Sequence, residues 1–354
     1  MDTSWIDAQQ RLSPKVAVVI LNWNGRHLLE RFLPPVLKYS NGLAEVIVAD
    51  NGSDDDSLAF MASDFPEVRV ISMQENAGFA GGYNKALAGL DADYYVLLNS
   101  DIEVSEGWIE PCIALMEALP GVAACQPKIR ALDDPACFEY AGAAGGFIDH
   151  LGYPFCRGRM FQTLEQDHGQ YDDTTEVFWA SGAAMFVRAD AFWKAGGFDQ
   201  GFFAHMEEID LCWRFANLGY KVMVCPDSLV FHVGGASLPR SNPGKTYLNF
   251  RNNLMMMAKN MHAMAFYPRL LIRLVLDELA AFVFILKGQF RDALAVYRAQ
   301  LSLLWKLPSL RRESKNLSAP LPGSMYKKSV VAAYYVWRKK RFSDLFPKNS
   351  RAST

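Results

Sequence analysis

Residues 94–104 constrain the fold more than any other stretch of the sequence. They open with the apolar run Tyr-Tyr-Val-Leu-Leu and continue into Asn99, Ser100 and Asp101. An apolar run of this length between turn residues is typical of a strand buried on both faces. Oxygen-bearing side chains at the carboxyl end of such a strand lie where open α/β sheets bind ligands, although an ordinary strand followed by a turn would look the same.

Two earlier apolar runs, 16–21 and 45–49, end in the same way, and a third short run spans 68–71. The segment between the first two runs has the apolar spacing of a helix, which Pro34 and Pro35 should kink or split. Strands that alternate with helices predict a mostly parallel α/β sheet, whose strands end at a common edge. The side chains expected at that edge are Asn22, Trp23, Asn24, Asp50, Ser53, Asn99, Ser100 and Asp101.

A glycine-rich stretch, 76–84, precedes an expected helix at 85–90. It lacks the Gly-x-Gly-x-x-Gly pattern, so it gives little support to a dinucleotide-binding fold. Gly78 and Gly82 instead allow the backbone to approach a ligand closely. Together with the polar strand ends, this stretch predicts a single ligand crevice. Three further residues of the stretch are assigned to that crevice: Asn76, Phe79 and Asn84.

The composition is that of a globular protein with a core, because 51% of the 354 residues are hydrophobic and 21% are charged. The formal net charge of −2 conceals a basic tail. Residues 311–354 contain eleven lysines and arginines but only two acidic residues. A basic tail on an acidic body indicates an anionic partner, either a membrane surface or a nucleic acid.

The six cysteines form no Cys-x-x-Cys pair, which argues against a structural zinc site and against a disulfide framework. A reducing cytoplasm is therefore the expected compartment. The first apolar run is too short for a signal peptide, and no stretch is long and clean enough to span a bilayer.

Acidic residues cluster at 207–210, Glu-Glu-Ile-Asp, at the start of a predicted helix that Gly219 ends. Carboxylates at a helix N-terminus complement the helix dipole and need no pocket. The alternative is a base for chemistry on a hydroxyl group, since a carboxylate can accept a proton. His232 poses a similar choice, because a histidine after the apolar run 229–231 can be a structural residue or a metal ligand.

Taken in order, these motifs resemble the GT-A half of family 2 glycosyltransferases, and more narrowly the bacterial rhamnosyltransferase-like branch. The resemblance covers roughly residues 15–255. The motifs are Asn-Trp-Asn-Gly at 22–25, Asp-Asn-Gly-Ser at 50–53, the stretch 76–82, Leu-Leu-Asn-Ser-Asp at 97–101, Trp-Ala-Ser-Gly-Ala-Ala at 179–184, Gly-Gly-Phe-Asp at 196–199, Glu-Glu-Ile-Asp-Leu-Cys-Trp-Arg at 207–214 and His-Val-Gly-Gly-Ala-Ser at 232–237.

The resemblance implies roles for several of these residues. Asp50 would bind the nucleoside of a sugar nucleotide, with Trp23 near the base. Asp101 would be the metal-binding residue of the family's Asp-x-Asp site, and His232 would complete a site for Mg²⁺ or Mn²⁺. The sequence departs from the family at the first position of that site, where it has Asn99, and one carboxylate holds a cation less strongly than two.

The resemblance also implies that Glu208 is the catalytic base, at a position where the family usually has Asp. A base on the acceptor side and a stabilised leaving group suffice for an inverting transfer, so no nucleophilic Ser or Cys motif is expected. The residues implied around the donor sugar and the acceptor are Trp179, Ser181, Gly182, Glu207, Asp210 and Arg214.

We expect a GT-A domain over residues 1–255 and a helical, basic region over 256–354 that associates with membranes. Apolar segments at 268–287 and 290–307 have the spacing of amphipathic helices. We expect the α/β core to be complete before the tail.

Several details of the C-terminal half stay open at this stage. In the first of the two segments, a polar stripe is formed by Arg269, Arg273 and Asp277. Aromatic residues beside the basic run 338–341 suit a membrane interface, although ordinary packing faces and solvated charges would give the same pattern. Three arginines are candidates for contacts with the donor phosphates, or else ordinary loop and surface charges: Arg157, Arg159 and Arg251.

The sequence therefore predicts an inverting glycosyltransferase of cell-surface polysaccharide synthesis. It would move a sugar, with rhamnose as the first choice, from a dTDP- or UDP-sugar to a glycan or polyprenyl-linked acceptor. It would act peripherally at the anionic cytoplasmic face of the inner membrane and would bind no nucleic acid. The alternatives are a sugar-nucleotide nucleotidyltransferase, which should carry a basic, glycine-rich signature near its N-terminus, and a non-catalytic protein that binds an anionic polymer.

Overall fold

The computed structural model describes residues 14–234, 242–313 and 322–346. The strands of these segments are β1 (Val16–Asn22), β2 (Glu45–Asp50), β3 (Arg69–Ser72), β4 (Tyr94–Asn99), β5 (Ile102–Val104), β6 (Val122–Ala131), β7 (Gly146–Ile148), β8 (Pro154–Cys156), β9 (Arg159–Met160), β10 (Thr163–Leu164), β11 (Thr175–Val177), β12 (Ala184–Arg188) and β13 (Lys221–His232). The helices are α1 (Arg26–Ser40), α2 (Ser57–Asp64), α3 (Gly78–Leu87), α4 (Glu110–Ala118), α5 (Ala189–Lys194), α6 (Glu207–Asn217), α7 (Pro243–Asn260), α8 (Ala263–Leu286) and α9 (Phe290–Glu313).

The central sheet has the strand order β11-β13-β6-β12-β4-β1-β2-β3, and β5 pairs with β13. Parallel pairs join β1 to β2 and β4, β2 to β3, and β6 to β13. Strand β12 is inserted antiparallel between β4 and β6. The mostly parallel α/β sheet predicted from the sequence is therefore confirmed.

The carboxyl ends of the parallel strands meet at one edge, as the alternation of strands and helices predicts. Asn22 at the end of β1 lies beside Asp50 at the end of β2. On the other side of β1, Leu21 lies beside Asn99 at the end of β4. The side chains of β1 alternate between two core clusters, with Val19 in one and Val18 in the other, so helices cover both faces of the sheet.

The glycine-rich stretch differs from the sequence-based expectation, and helix α1 is not split. Helix α3 begins at Gly78, so the glycine-rich stretch forms its first turns and does not precede it. A side chain at Gly78 would collide with Phe203, and one at Gly82 would press on Leu21, so the glycines let protein segments approach each other. Helix α1 continues through Pro34 and Pro35 as one element, because its Leu29, Phe32, Leu33 and Val36 are buried against the sheet.

Residues 130–176, for which no strand or helix was predicted, contain a second small sheet in the order β10-β9-β8-β7. The two arginines suggested there as phosphate ligands are buried by protein contacts. Arg157 pairs with Asp173, and the Arg159 Nε donates to the carbonyl oxygen of Tyr140 at 2.9 Å.

The described part of the C-terminal tail, residues 322–346, packs into the same core as the central sheet. Residue 255, the expected domain boundary, lies inside α7. The ring of Phe342 lies 5.0 Å from that of Phe147, and the backbone NH of Val330 donates to Asp149 Oδ2 at 2.9 Å. The expectation that the core is complete before the tail was wrong, because removing Phe342 would expose the rings of the small sheet.

Helices α8 and α9, with 24 residues each, are the longest helices of the described segments. None of the helices within the described segments combines enough length with enough apolar character to cross a bilayer.

Candidate active site

A hydrogen-bonded mesh joins the ends of β1 and β2. The Asn22 side-chain amide donates to Asp50 Oδ2 at 3.1 Å and to Ser53 Oγ at 3.3 Å. The backbone NH of Ser53 donates to Asp50 Oδ1 at 3.0 Å. Both oxygens of the buried Asp50 are thus held in place, which fixes the position of the carboxylate at the sheet edge.

Trp23 is presented to solvent beside this mesh. Asn24 adopts a left-handed backbone conformation with φ of 52°, and its side-chain oxygen accepts from the backbone NH of Asp54 at 2.7 Å. This turn leaves Trp23 49% exposed. An exposed aromatic ring on a rigid turn offers a flat apolar face to a planar ligand group.

Asn51 is a site-building residue that sequence reasoning did not single out. Its side-chain amide donates to Asn76 Oδ1 at 3.0 Å and to the carbonyl oxygen of Gly78 at 3.1 Å. Its side-chain oxygen accepts from the backbone NH of Ala77 at 3.1 Å. The end of β2 is therefore tied to the start of α3, and the motif Asp-Asn-Gly-Ser at 50–53 contained this signal.

Asp101 and His232 come together as the resemblance implied. His232 Nε2 lies 3.1 Å from Asp101 Oδ1, and His232 Nδ1 lies 3.4 Å from Glu139 Oε1. Burial alone would lower the pKa of His232, but the hydrogen bonds to Asp101 and Glu139 outweigh it and raise the pKa to about 10. The last part of the His232 motif, residues 235–237, lies outside the described residues.

The carboxylate oxygens of Asp101 and the imidazole nitrogen of His232 are suitable ligands for a divalent cation. No cluster of three or more His, Cys, Asp or Glu arranged for a metal occurs within residues 14–234, 242–313 and 322–346. Asp101 and His232 could nevertheless hold a cation whose remaining ligands are diphosphate oxygens and water, the usual environment of protein-bound Mg²⁺. Glu139 at Nδ1 is placed as the outer carboxylate that commonly orients a ligating histidine.

A strained loop precedes α6. Phe203, His205 and Met206 have positive φ values of 65°, 69° and 73°. The side-chain amide of Asn252 on α7 holds this loop, since it lies 2.9, 2.8 and 2.7 Å from the carbonyl oxygens of Phe202, Ala204 and His205. Backbone strain of this kind persists only where surrounding contacts over-determine it.

The same loop is also tied to α3. The carbonyl oxygen of Phe203 accepts from the backbone NH of Phe79 at 2.7 Å. Arg251 Nη2 donates to the carbonyl oxygens of Gly201 and Phe202 at 3.1 and 3.0 Å. Arg251, a sequence candidate for phosphate binding, is therefore engaged by the loop.

Helix α6 starts with two acidic side chains whose carboxyl groups are incompletely bonded. Oε2 of Glu207 and Oε2 of Glu208 are both inaccessible to solvent and have no hydrogen-bond partner, although Glu208 as a residue is half-buried. Burial raises the pKa of Glu208 to about 7. Burial and the charge of Glu208 raise the pKa of Glu207 well above its ordinary value.

Gly182 lies close to Glu208 and to the start of α3. A Cβ built at Gly182 would lie 3.0 Å from Phe79 Cζ and 3.7 Å from Glu208 Cβ. The backbone NH of Asn99 donates to the carbonyl oxygen of Ala183 at 3.0 Å. The turn that contains Gly182 therefore lies between the start of α3, the end of β4 and the start of α6, and a side chain there would press on the ring of Phe79.

Other predicted site residues have structural partners. The Trp179 Nε1 donates to the carbonyl oxygen of Phe147 at 2.9 Å, and the Ser181 Oγ donates to that of Ala141 at 2.6 Å. The side-chain amide of Asn84 donates to the carbonyl oxygen of Phe198 at 2.7 Å, and its side-chain oxygen accepts from the backbone NH of Phe198 at 2.9 Å. The structure thus places these three in contacts that support neighbouring segments.

Asp210, predicted near the sugar or the acceptor, is fully buried. Its Oδ2 accepts from Arg214 Nε at 2.8 Å and from Lys259 Nζ at 3.4 Å, and its Oδ1 accepts from Asn260 Nδ2 at 2.8 Å. Asp210 therefore joins α6 to α7, while Arg214 also donates from Nη1 to the carbonyl oxygen of Gly197 at 2.7 Å. Ser100, by contrast, stays at the crevice edge, where its Oγ faces Gly25.

The sheet order and the polar strand-end crevice are those of the GT-A fold of glycosyltransferases. A model of the family described as "Glycosyl transferase family 2" matches residues 17–194, half of the chain. The chain belongs to this family and is a glycosyltransferase. The nucleotidyltransferase and non-catalytic alternatives are therefore not retained.

Relatives and solved structures agree with this assignment. The chain is 29% identical over 233 residues to the N-acetylglucosaminyl-diphospho-decaprenol L-rhamnosyltransferase of Mycobacterium tuberculosis, which covers 61% of this chain and 75% of that protein. A mannosyltransferase of Pyrobaculum calidifontis solved with GDP-Man and Mn²⁺ superposes with a TM-score of 0.51 at 15% identity, over 93% of this chain and 89% of that one. GalNAc-T7 solved with UDP, GalNAc and Mn²⁺ gives 0.55 at 15% identity, over 70% and 48%.

Proposed function

We propose that this glycosyltransferase inverts the anomeric centre as it moves rhamnose from a dTDP- or UDP-sugar to a lipid-linked or glycan acceptor of cell-surface polysaccharide synthesis. Support for the sugar and the acceptor comes from the mycobacterial relative, which is named as a rhamnosyltransferase acting on a diphospho-decaprenol. Support for the donor class comes from the two solved structures, whose ligands are a nucleotide or a nucleotide sugar with Mn²⁺.

In this proposal the strand-end mesh binds the donor. Asp50, with both oxygens already oriented, accepts hydrogen bonds from the nucleoside. Trp23 packs on the base, and Asn24 and Ser53 hold the turn that presents it. The start of α3, with Asn76, Gly78 and Phe79, borders the donor on the side of the sugar.

Glu208 is the proposed base. Its carboxylate accepts the proton of an acceptor hydroxyl while the hydroxyl oxygen forms a bond to the anomeric carbon. The bond from that carbon to the diphosphate oxygen breaks, and its electron pair leaves with the nucleoside diphosphate. The single observation that carries this assignment is the buried, unpartnered Oε2 of Glu208, a residue whose Cβ lies close to Gly182 in the turn next to Phe79.

Asp101 and His232 are the proposed ligands of a divalent cation, with Glu139 orienting the imidazole. Such a cation, Mg²⁺ or Mn²⁺, supplies positive charge that stabilises the departing diphosphate. Asp101→Ala should therefore abolish transfer and remove metal-dependent donor binding. Asn99→Asp should leave activity intact or tighten metal binding, since it adds a second carboxylate; unchanged turnover and donor binding in Asp101→Ala would remove the metal assignment.

We further propose that the enzyme works at the anionic cytoplasmic face of the inner membrane, as a peripheral protein. The basic residues of the tail support an anionic partner, and a lipid-linked acceptor would be reached from the membrane surface.

The proposal is tested with defined substrates. The full chain is incubated with dTDP-rhamnose, and separately with UDP-sugars, together with polyprenyl-diphosphate-N-acetylglucosamine and Mn²⁺. We expect a rhamnosylated lipid product whose glycosidic linkage has the anomeric configuration opposite to that of the donor. A product with retained configuration would overturn the inverting mechanism, and transfer of another sugar alone would overturn the donor assignment.

A further inference from the structure

Helix α8 turns its charged side toward the protein. Arg273 and Asp277 are only 3% and 0% exposed, and Arg273 Nε donates to Asp277 Oδ1 at 2.8 Å. Arg273 also donates to the carbonyl oxygen of Leu151 at 3.2 Å and lies 3.9 Å above the ring of Tyr153. The polar stripe seen in the sequence is therefore the packed face of the helix, which inverts the usual arrangement of an amphipathic helix.

The opposite face of α8 is apolar and uncovered. Among the exposed residues from 271 to 286, only Glu278 is charged. The most exposed apolar side chains there are between 51% and 70% exposed: Leu271, Ile272, Val275, Leu279, Phe282 and Leu286. Monomeric soluble proteins rarely leave so many neighbouring apolar side chains in water, so this face has a partner.

Helix α9 continues this surface after a turn at Gly288, whose φ is 72°. The two helices meet along a seam that contains Ala281, Ala293 and Val296. Beyond that seam α9 exposes a second apolar set, and Trp305 is 91% exposed. The other members of the set are Phe290, Leu294, Leu301 and Leu304. We call these exposed apolar residues of α8 and α9 the hairpin face.

The charges around the hairpin face are mostly positive. The exposed charged residues of α9 up to residue 312 are Arg291, Arg298 and Arg312, and Lys287 lies in the turn before it. An isologous pairing of two copies through this face would bring like charges together, which disfavours a second copy of the chain. An anionic lipid surface attracts the same charges and also accepts apolar and aromatic side chains at its acyl boundary.

We propose that the hairpin face is a membrane-docking surface that lies flat on an anionic bilayer, with its leucines and Trp305 in the boundary between headgroups and acyl chains. No helix among the described residues is suited to cross the bilayer, so α8 and α9 lie in its plane. This surface differs from the electrostatic tail expected from the sequence, because insertion of apolar side chains is not screened by salt. The inference deepens the proposed membrane location and is independent of the transfer reaction.

The test is flotation of the full-length chain with vesicles of phosphatidylcholine containing one quarter phosphatidylglycerol, at low and high salt. The variant Leu271→Ser/Leu279→Ser/Leu286→Ser removes apolar area without adding charge. Its matched control is Leu43→Ser/Leu119→Ser/Leu218→Ser, three leucines of the α/β part that are 39%, 43% and 45% exposed. We expect the hairpin variant to lose vesicle binding by roughly tenfold or more, and the control variant to bind like wild type.

Part of the wild-type binding should also survive high salt. Equal binding by wild type and the hairpin variant would overturn the proposal, and so would wild-type binding that is wholly lost at high salt, which would assign docking to the basic tail. Light scattering tests whether a second copy of the chain covers the hairpin face instead. If the wild type is a dimer, and the hairpin variant is a monomer with unchanged vesicle binding, the face is a subunit interface. No sugar nucleotide is present, so a negative result leaves the transferase proposal standing.

Discussion

Helix α6 carries two kinds of carboxylate less than one turn apart. Asp210 is buried with three partners, and both of its oxygens accept hydrogen bonds. Glu208 is half-buried beside the crevice, and one of its oxygens has no partner at all. A buried charge with complete bonding stabilises the fold, whereas a buried oxygen without a partner keeps a site open for a ligand or a proton. This difference separates the structural acid from the proposed chemical one.

The largest expected effect is on the structural side. Asp210→Ala leaves Arg214 and Lys259 without their shared carboxylate, so the free energy of unfolding should fall by about 3–5 kcal/mol. Guanidinium unfolding measures the loss, with the exposed Asp133→Ala as the matched control. A loss below about 1 kcal/mol would show that the complete bonding of Asp210 does not stabilise the protein.

The next effect is on the chemical side. Glu208→Gln keeps the size of the side chain but cannot accept a proton, so kcat should fall by roughly 10² or more while donor affinity barely changes. Glu208→Asp should retain more activity than Glu208→Gln. Glu207→Gln is the control for the alternative that both carboxylates only complement the helix dipole. That alternative predicts small and similar effects at both positions. If Glu208→Gln turns over like wild type and Glu207→Gln is inactive, the base has been assigned to the wrong carboxylate.

Asn252 should show a smaller effect, because it acts on Glu208 only through the strained loop. Asn252→Ala frees the carbonyl oxygens of Phe202, Ala204 and His205, so kcat should fall by about tenfold with little change in the KM for the donor. Asn249→Ala on the same helix is the control. A change in KM alone, or an equal loss in both variants, would remove the positioning role.

The smallest expected effect is a gain in stability. Burial raises the pKa of Glu208 from its ordinary value of 4.5 to about 7, so the folded state binds its proton more tightly than the unfolded state. Wild-type stability therefore declines as the pH rises through this interval, and the loss is complete above about 7. Glu208→Gln should have a Tm higher by about one to three degrees at pH 8 than wild type, with the difference vanishing near pH 4. A lower Tm at pH 8 would contradict the burial of an ionised carboxylate.

Local sequence patterns predicted the parts of the site that follow strand ends. The apolar runs before Asn22, Asp50 and Asn99 fix their place at one edge, because parallel strands align their carboxyl ends. The resemblance to a family then predicted that Asp101 and His232 lie together. The two residues are distant in the chain, but Asp101 Oδ1 and His232 Nε2 are 3.1 Å apart. The role of Asn51 was missed although it lies in the motif at 50–53, because its partners Asn76, Ala77 and Gly78 belong to another segment.

The C-terminal helices show why the remainder could not be predicted. The spacing of Arg273 and Asp277 defines a polar stripe, but a spacing cannot tell which face meets the protein. That choice depends on partners from distant segments, here the carbonyl oxygen of Leu151 and the ring of Tyr153. The tail likewise reads as a solvated basic run, although Phe342 and Val330 are buried in the core.

The pH dependence of kcat tests the central claim most directly. If Glu208 is the base, the kcat of wild type should rise with pH and reach half of its maximum near pH 7. The inflection should persist in Glu207→Gln, because this variant keeps the Glu208 carboxyl group, and it should disappear in Glu208→Gln. The same inflection in wild type and in Glu208→Gln would contradict the account, because the titrating group would then be another residue.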